Sequence, residues 1–237
     1  MMIHELNSLL EPYRLTCDEK QLEQFNTYFQ LLIEWNQKIN LTAITEPKEV
    51  LVKHFFDSLT PAFYHELSDQ TLIDIGAGAG FPSIPLKICF PELKITLLDS
   101  LNKRITFLKH VIEVLGLQNI NCIHGRAEEL AKNDKYREAF DIAISRAVAR
   151  LNILSELSLP FVKLGGYMIA LKGSNTYEEV DEAKKAIQIM GAKLTKEHHL
   201  LLPENFGERK IIIIKKTKET PKKYPRKPGI PSRKPII

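Results

Sequence analysis

Apolar positions in the first quarter of the chain recur at spacings of three and four. Leu22, Phe25, Tyr28 or Phe29, Leu32 and Trp35 line one face of a helix, with Asp18 placed as its N-cap. The stretch "INLTAITEP" breaks this period, and a second helix is expected from about Lys48 to Leu67. From residue 71 the texture changes. Short apolar runs ("TLIDI", "KITLLD", "INCIH", "FDIAISRA") alternate with amphipathic stretches such as "SIPLKICF" and "NKRITFLKHVIEVLG". That alternation predicts βαβ units, hence a parallel sheet with right-handed crossovers and helices on both faces. "ARLNILSELSLPFVKLGG" reads as a helix closed by a double-glycine turn, "YMIALKG" as the next strand, and residues 176–190 as one more helix. "KLTKEHHLLLP" and "ERKIIIIKK" have no helix between them, so they read as a hairpin whose final strand enters the sheet antiparallel. Three segments result: a small helical subdomain over 1–67, an α/β core over 68–216 and a tail over 217–237.

Composition adds little to this picture until charge is mapped. The 237 residues are 44% hydrophobic and 26% charged, ordinary usage for one globular core with an appendage. No stretch approaches the ~20 apolar residues of a membrane span, which points to a cytoplasmic protein without membrane contact. Cys17, Cys89 and Cys122 are widely spaced and form no CxxC pair, so reduced, buried thiols and no metal site are expected. The net charge is +4, but residues 215–237 hold nine Lys or Arg against the single acid Glu219. A tail of this kind, with Lys222, Lys223, Arg226 and Lys227, gains affinity for a polyanion by releasing counterions. The bland alternative is a solubilising terminus. Its five prolines exclude helix and predict an extended chain, in which Tyr224 is a candidate for stacking on a base.

The candidate chemistry starts at "DIGAGAGFPSIPL". Gly76, Gly78 and Gly80 form a strand-to-helix turn over which a ligand approaches the backbone. The dinucleotide fingerprint would place a third glycine where Phe81 stands, and Asp74 at the strand end is poor company for a pyrophosphate. A carboxylate there suits an ammonium or a sulfonium, and S-adenosylmethionine carries both. Asp99 closes the second strand, where an acid accepts hydrogen bonds from ribose hydroxyls. In "GRAEEL", Ala127 and Glu128 either meet an adenine edge or simply cap a surface helix.

The methyl acceptor is narrowed by absent motifs. No [N/D]-P-P-[Y/F] segment follows strand four, as exocyclic amine methylation usually requires, and no cysteine sits in a loop fit for cytosine C5 attack. A ring nitrogen such as guanine N7 already presents a lone pair, so positioning alone can serve and arginines remain for O6 or phosphate.

"EWNQKINLTAI", "HFFDSL", "DIGAGAGFPSIPL", "LLDSLNKRITFL", "ISRAVA" and "KYPRKPGIPSRKPI" run nearly the length of the chain. With them it resembles the bacterial 16S ribosomal RNA guanine-N7 methyltransferase family once called glucose-inhibited division protein B. The resemblance implies a class I methyltransferase: a Rossmann-like seven-stranded sheet with an antiparallel last strand, behind a small N-terminal helical subdomain. It implies S-adenosylmethionine as donor and, as substrate, one guanine near the decoding region of 16S rRNA; naked RNA, a precursor particle and the assembled small subunit all stay open, and a monomer is expected. Gly76, Phe81, Ala127, Glu128 and Arg146 then match cofactor positions, with Asp99 at the ribose. Arg126, Arg146, Lys172 and Arg209 match a basic lining for RNA and guanine. The one departure, Ser83 in place of glycine, is expected to be harmless. Asn40 and Thr42 either end a helix or belong to a loop closing over the cofactor, and His54 and Asp57 are either a solvated pair or part of the site. A non-catalytic RNA-binding protein that retains the cofactor fold is the competing reading, and a small-molecule or protein methyltransferase is a second.

Overall fold

A computed structural model describes residues 3–173 and 177–237. Thr176, where the last helix is expected to begin, lies outside them. After α1 (Glu5–Leu10), α2 (Glu19–Ile39) begins at a reciprocal capping box: Asp18 accepts from the Gln21 amide and Gln21 returns a bond to the Asp18 amide. It ends at Asn40, whose left-handed φ of 49° closes the helix.

The second helix departs from expectation. α3 (Pro47–Val50) runs into a π-helical segment, Leu51–Phe56, then α4 (Asp57–Leu59) and a 3₁₀ turn, Thr60–Phe63. Pro61, with no N–H for the α ladder, sits in the first turn of that 3₁₀ segment, and helix ends at Phe63, four residues short of Leu67. The wide turn carries His54 and leads directly into Asp57, and both face the cleft at the carboxyl ends of the strands.

Seven strands follow: β1 (Thr71–Ile75), β2 (Lys94–Asp99), β3 (Ile120–His124), β4 (Phe140–Arg146), β5 (Val162–Lys172), β6 (Ala192–Leu201) and β7 (Glu208–Lys216). Their order is β3-β2-β1-β4-β5-β7-β6, with β1 to β5 parallel and β7 antiparallel to both neighbours. The intervening helices are α5 (Ser83–Cys89), α6 (Asn102–Val114), α7 (Ala127–Leu130), α8 (Leu151–Ser158) and α9 (Tyr177–Ile189). The double glycine does not end α8. Pro160 stops that helix, β5 starts at Val162, and Gly165 (φ 84°) and Gly166 lie in the irregular start of the strand, where a Cβ on Gly166 would sit 2.5 Å from the Asp141 carbonyl.

The sheet separates two apolar layers. Leu72, Ile142 and Ile144 face a layer that includes Phe25, Leu32, Phe55, Ile84 and Phe107; the alternating Ile73, Ile75 and Ala143 face Leu151, Leu154 and Ile187. The N-terminal helices therefore share one continuous core with the sheet. Two further expectations fail here. Only Cys17 is buried, and Cys17 and Cys89 are neighbours in space, their free thiol sulfurs 3.4 Å apart. Nor is the tail wholly extended, for Ile230–Arg233 forms a one-turn helix, α10, beside α8.

Candidate functional site

The strand order reverses between β1 and β4, and ligands of open α/β sheets bind in the crevice beyond the carboxyl ends at such a point. Three neighbouring cavities that share lining residues lie there. A central one of about 410 Å³ includes Thr42, His54, Gly78, Phe81, Asp99 and Arg146 in its lining. A smaller one of about 190 Å³ shares Gly76, Asp99, Ser100 and Val148 with it and reaches Ala127 and Glu128. A third of about 340 Å³ shares His54 and Arg146 with the central one and reaches Asp57, Lys172 and Arg209.

The floor is the glycine turn. Gly76 and Ala77 donate to the Leu98 carbonyl (2.8 and 3.0 Å), and the Gly78 amide donates to Asp99 Oδ2 (2.9 Å). Gly78 has φ 60° and a Cβ there would meet nothing closer than the Gly76 carbonyl at 3.9 Å, whereas a Cβ on Gly80 would lie 2.6 Å from Ile84 and 2.8 Å from the Tyr28 hydroxyl. Asp99 is buried, accepts a second bond from the Leu101 amide at 2.8 Å, and stands where the central and smaller cavities meet. Arg104 Nη1 also approaches Oδ2 at 3.4 Å, which leaves the carboxylate capacity to accept from one hydroxyl of a ribose. The donor set fits a nucleoside: carboxylate at the junction, a side-chain-free turn on one side, and β3–α7 backbone on the other.

Arg146 is the hub of the other half. Its Nη1 donates to the Lys53 carbonyl (3.0 Å) and Asp57 Oδ2 (2.8 Å), its Nη2 faces His54 Nδ1 (3.2 Å), and its guanidinium lies 4.8 Å from the Phe81 ring centroid. Asp57 is buried and also accepts from Arg209 Nε at 2.9 Å, so one carboxylate orients two arginines at the third cavity. Burial first, and Arg146 second, push the His54 imidazole down to about 3, so it is neutral at physiological pH. Nδ1 lies 3.2 Å from the Lys53 carbonyl as well, but that oxygen already accepts from Arg146 Nη1 and arginine only donates, so Nδ1 is read as acceptor and the Nε2 hydrogen is left for Thr42 Oγ1 at 2.9 Å. Thr42 Oγ1 also accepts from the Ile44 amide, so the Thr42 hydroxyl hydrogen is available to the central cavity.

The model of the family described as "GidB: rRNA small subunit methyltransferase G" matches residues 21–211. The proteins named ribosomal RNA small subunit methyltransferase G of Brevibacillus brevis and Bacillus thuringiensis are 52% and 53% identical to this chain over its full length, covering 100% and 99% of their own. This chain belongs to the rRNA small subunit methyltransferase G family. The fold agrees: an S-adenosylmethionine-dependent O-methyltransferase from Thermotoga maritima superposes with a TM-score of 0.53 at 16% identity, covering 80% of this chain and 73% of that one.

Within this chain, several expected residues meet in the cleft and others do not. Gly76, Gly78, Phe81, Asp99, Arg146, Thr42 and His54 line the central cavity. Asp74 does not. Strand alternation puts its side chain on the same face as Leu72, fully buried, and neither oxygen completes a hydrogen bond. Burial raises its carboxyl to about 7; the facing Ser83 hydroxyl and amide and the charge of Arg146 oppose the rise. Ser83, which stands where glycine is expected, is fully buried and its hydroxyl completes no hydrogen bond. The unfolded carboxyl releases its proton near 3.8 and the folded one near 7, so stability falls as pH rises through that window. Asp74→Asn is expected to flatten this slope and to raise the melting temperature at pH 8 more than at pH 5, as thermal unfolding at the two pH values would show.

Asn40 only terminates α2, exposed and outside the cleft; Asn36, unnoticed in the sequence, holds the following loop by accepting from the Leu41 and Thr42 amides (2.7 and 2.8 Å). Arg126 lines the smaller cavity, not the arginine-rich one, because β3 and β5 lie on opposite sides of β1. Lys172 reaches the third cavity but is bound to the Ala149 carbonyl (2.8 Å) and Glu179 (2.7 Å). Glu128 spends Oε1 on the Gly229 amide (3.0 Å). Of the tail cations, Arg226 is committed to buried Glu156, while Lys222, Lys223 and Lys227 are exposed; Tyr224 packs on the core instead of presenting a free face. Among the described residues no cluster of His, Cys, Asp or Glu is arranged to hold a metal, and no helix is long and apolar enough to cross a membrane.

Proposed function

We propose that the protein transfers a methyl group from S-adenosylmethionine to N7 of one guanine in 16S rRNA, acting as a cytoplasmic monomer on the RNA or a small-subunit particle. Family membership supports the rRNA methyltransferase part of this reading. Bound adenosylmethionine supplies an electrophilic methyl group on a sulfonium. Asp99 holds the ribose, the Gly76–Gly80 turn lets the donor lie against backbone, and Thr42 offers a hydrogen to its amino-acid end. The arginine-lined third cavity takes the guanine, with Arg146 beside both substrates and Arg209, Lys222, Lys223 and Lys227 toward the RNA.

The observation that carries the N7 assignment is the state of the acids and imidazole in the cleft. His54 is neutral with its lone pair turned to Arg146, Asp57 is shared by two arginines, and Asp99 and Glu128 already accept amide hydrogens. None is poised to take a proton, and a ring nitrogen attacking with its own lone pair requires no proton removal. Approximation then carries the rate, for which alignment supplies up to roughly 7–11 kcal/mol.

The decisive experiment incubates the protein with labelled adenosylmethionine and small-subunit RNA or particles, then maps the label by N7-specific chain cleavage. Label at one guanine N7 is expected; label at any other atom would refute the assignment. Asp99→Ala is expected to weaken donor binding about 10- to 100-fold by calorimetry, the worth of charge-assisted hydrogen bonds. Unchanged affinity would remove Asp99 from the donor site.

A further inference from the structure

By charge alone the basic tail is an RNA-seeking appendage, separable from the donor site. The structure folds it back onto the smaller cavity. Ser232, on α10, lines that cavity together with Ala127 and with Leu157 of α8. The segment is fastened at both ends. Arg226 grips the buried Glu156 carboxylate through Nε (2.9 and 3.1 Å) and Nη2 (2.6 Å), its amide adds a bond to Oε1 (2.9 Å), and its Nη1 spans to the Lys234 carbonyl (2.8 Å). The Gly229 amide is tied to Glu128, and Asn152 reaches the Ile236 carbonyl. Upstream, Arg137 binds the Thr220 and Tyr224 carbonyls at 2.8 and 2.9 Å.

We propose that residues 226–234 form the outer wall of the adenosine end of the donor site, and that Arg226 is the positioning residue that holds this wall in place. The wall rests on the assignment of the cleft to S-adenosylmethionine. Three observations carry it. The cavity is continuous with the Asp99 junction, so a ribose held there directs its base toward Ser232. Glu128, which lines the same cavity, commits Oε1 to the Gly229 amide of the tail. Finally, the bidentate pair on a 1%-exposed carboxylate is a rigid anchor, unlike a solvated tail contact.

Ser232 is exposed, so enlarging it fills the cavity without disturbing the core. The test measures binding of S-adenosylhomocysteine to the full chain by calorimetry, alongside the KM for adenosylmethionine. Ser232→Phe is expected to lower affinity at least about tenfold, with unchanged melting temperature and with kcat at saturating donor preserved within about twofold. Ser232→Ala retains binding. Arg226→Ala is expected to lower affinity by a similar factor, with partial recovery in Arg226→Lys. Wild-type affinity in Ser232→Phe overturns the wall, and wild-type affinity in Arg226→Ala overturns the role of Arg226. Failure of the unmodified protein to bind S-adenosylhomocysteine sinks the donor assignment itself.

Discussion

Arg146→Ala is expected to lower kcat/KM for methyl transfer by at least about 100-fold, measured with labelled donor and small-subunit RNA. The loss has three sources. The guanidinium stands between the central and third cavities and touches Asp57, His54 and Phe81 together. Without it His54 Nδ1 loses its donor, the tautomer is no longer fixed, and the Thr42 hydroxyl is free to turn away from the cavity. Asp57 is left buried with Arg209 alone; removing one partner of a buried ion pair costs about 3–5 kcal/mol, and the second arginine reduces that. Chemical denaturation therefore belongs beside the kinetics, to separate lost fold from lost alignment. Arg146→Lys should recover stability before activity, because an ammonium cannot repeat the fork that reaches Lys53, Asp57 and His54 at once. A variant folded and within a few-fold of wild type would remove Arg146 from the reaction centre.

The sheet was legible because strand period, turn glycines and the hairpin all pointed the same way. The donor turn was legible for a related reason: glycines at alternate positions after a buried strand strip side chains from a turn, which close approach of a ligand demands at Gly78 and core packing demands at Gly80. What the sequence hid were partners. Glu156 and Glu179 sit in amphipathic helices where an acid reads as solvated surface, yet they bind Arg226 and Lys172. Asp74 was assigned to the ligand by its position at the strand end, but the two-residue alternation that buries Leu72 also turns Asp74 inward. The π-helical turn that points His54 and Asp57 toward Arg146 has no compositional mark at all. Charge counting read the tail toward a polyanion, but it had no means of seeing that the fold pairs Arg226 with Glu156 and the fully buried Lys216 with Glu138.

The glycine turn offers the sharpest separation of folding from binding. Gly80→Ala forces a Cβ to within 2.6 Å of Ile84, 2.8 Å of the Tyr28 hydroxyl and 3.0 Å of Leu108, at a backbone φ of 98°. These contacts are with packed side chains at the α2–α5–α6 junction, so relief requires moving the core. Left-handed strain and overpacking together are expected to cost about 2–5 kcal/mol, read as a drop in melting temperature of roughly 5–15 °C. Gly78→Ala differs only in where its methyl group goes. At φ 60° it bears about 1–2 kcal/mol of left-handed strain, but the added carbon enters the cleft and meets no protein atom closer than 3.9 Å. Its amide keeps the bond to Asp99, so the cradle survives with its floor raised by a methyl group. Donor affinity should therefore fall at least about tenfold while most stability remains, the inverse of the Gly80→Ala balance. Equal losses of stability in both variants would mean that the turn is set by backbone conformation alone, and that no ligand lies across Gly78.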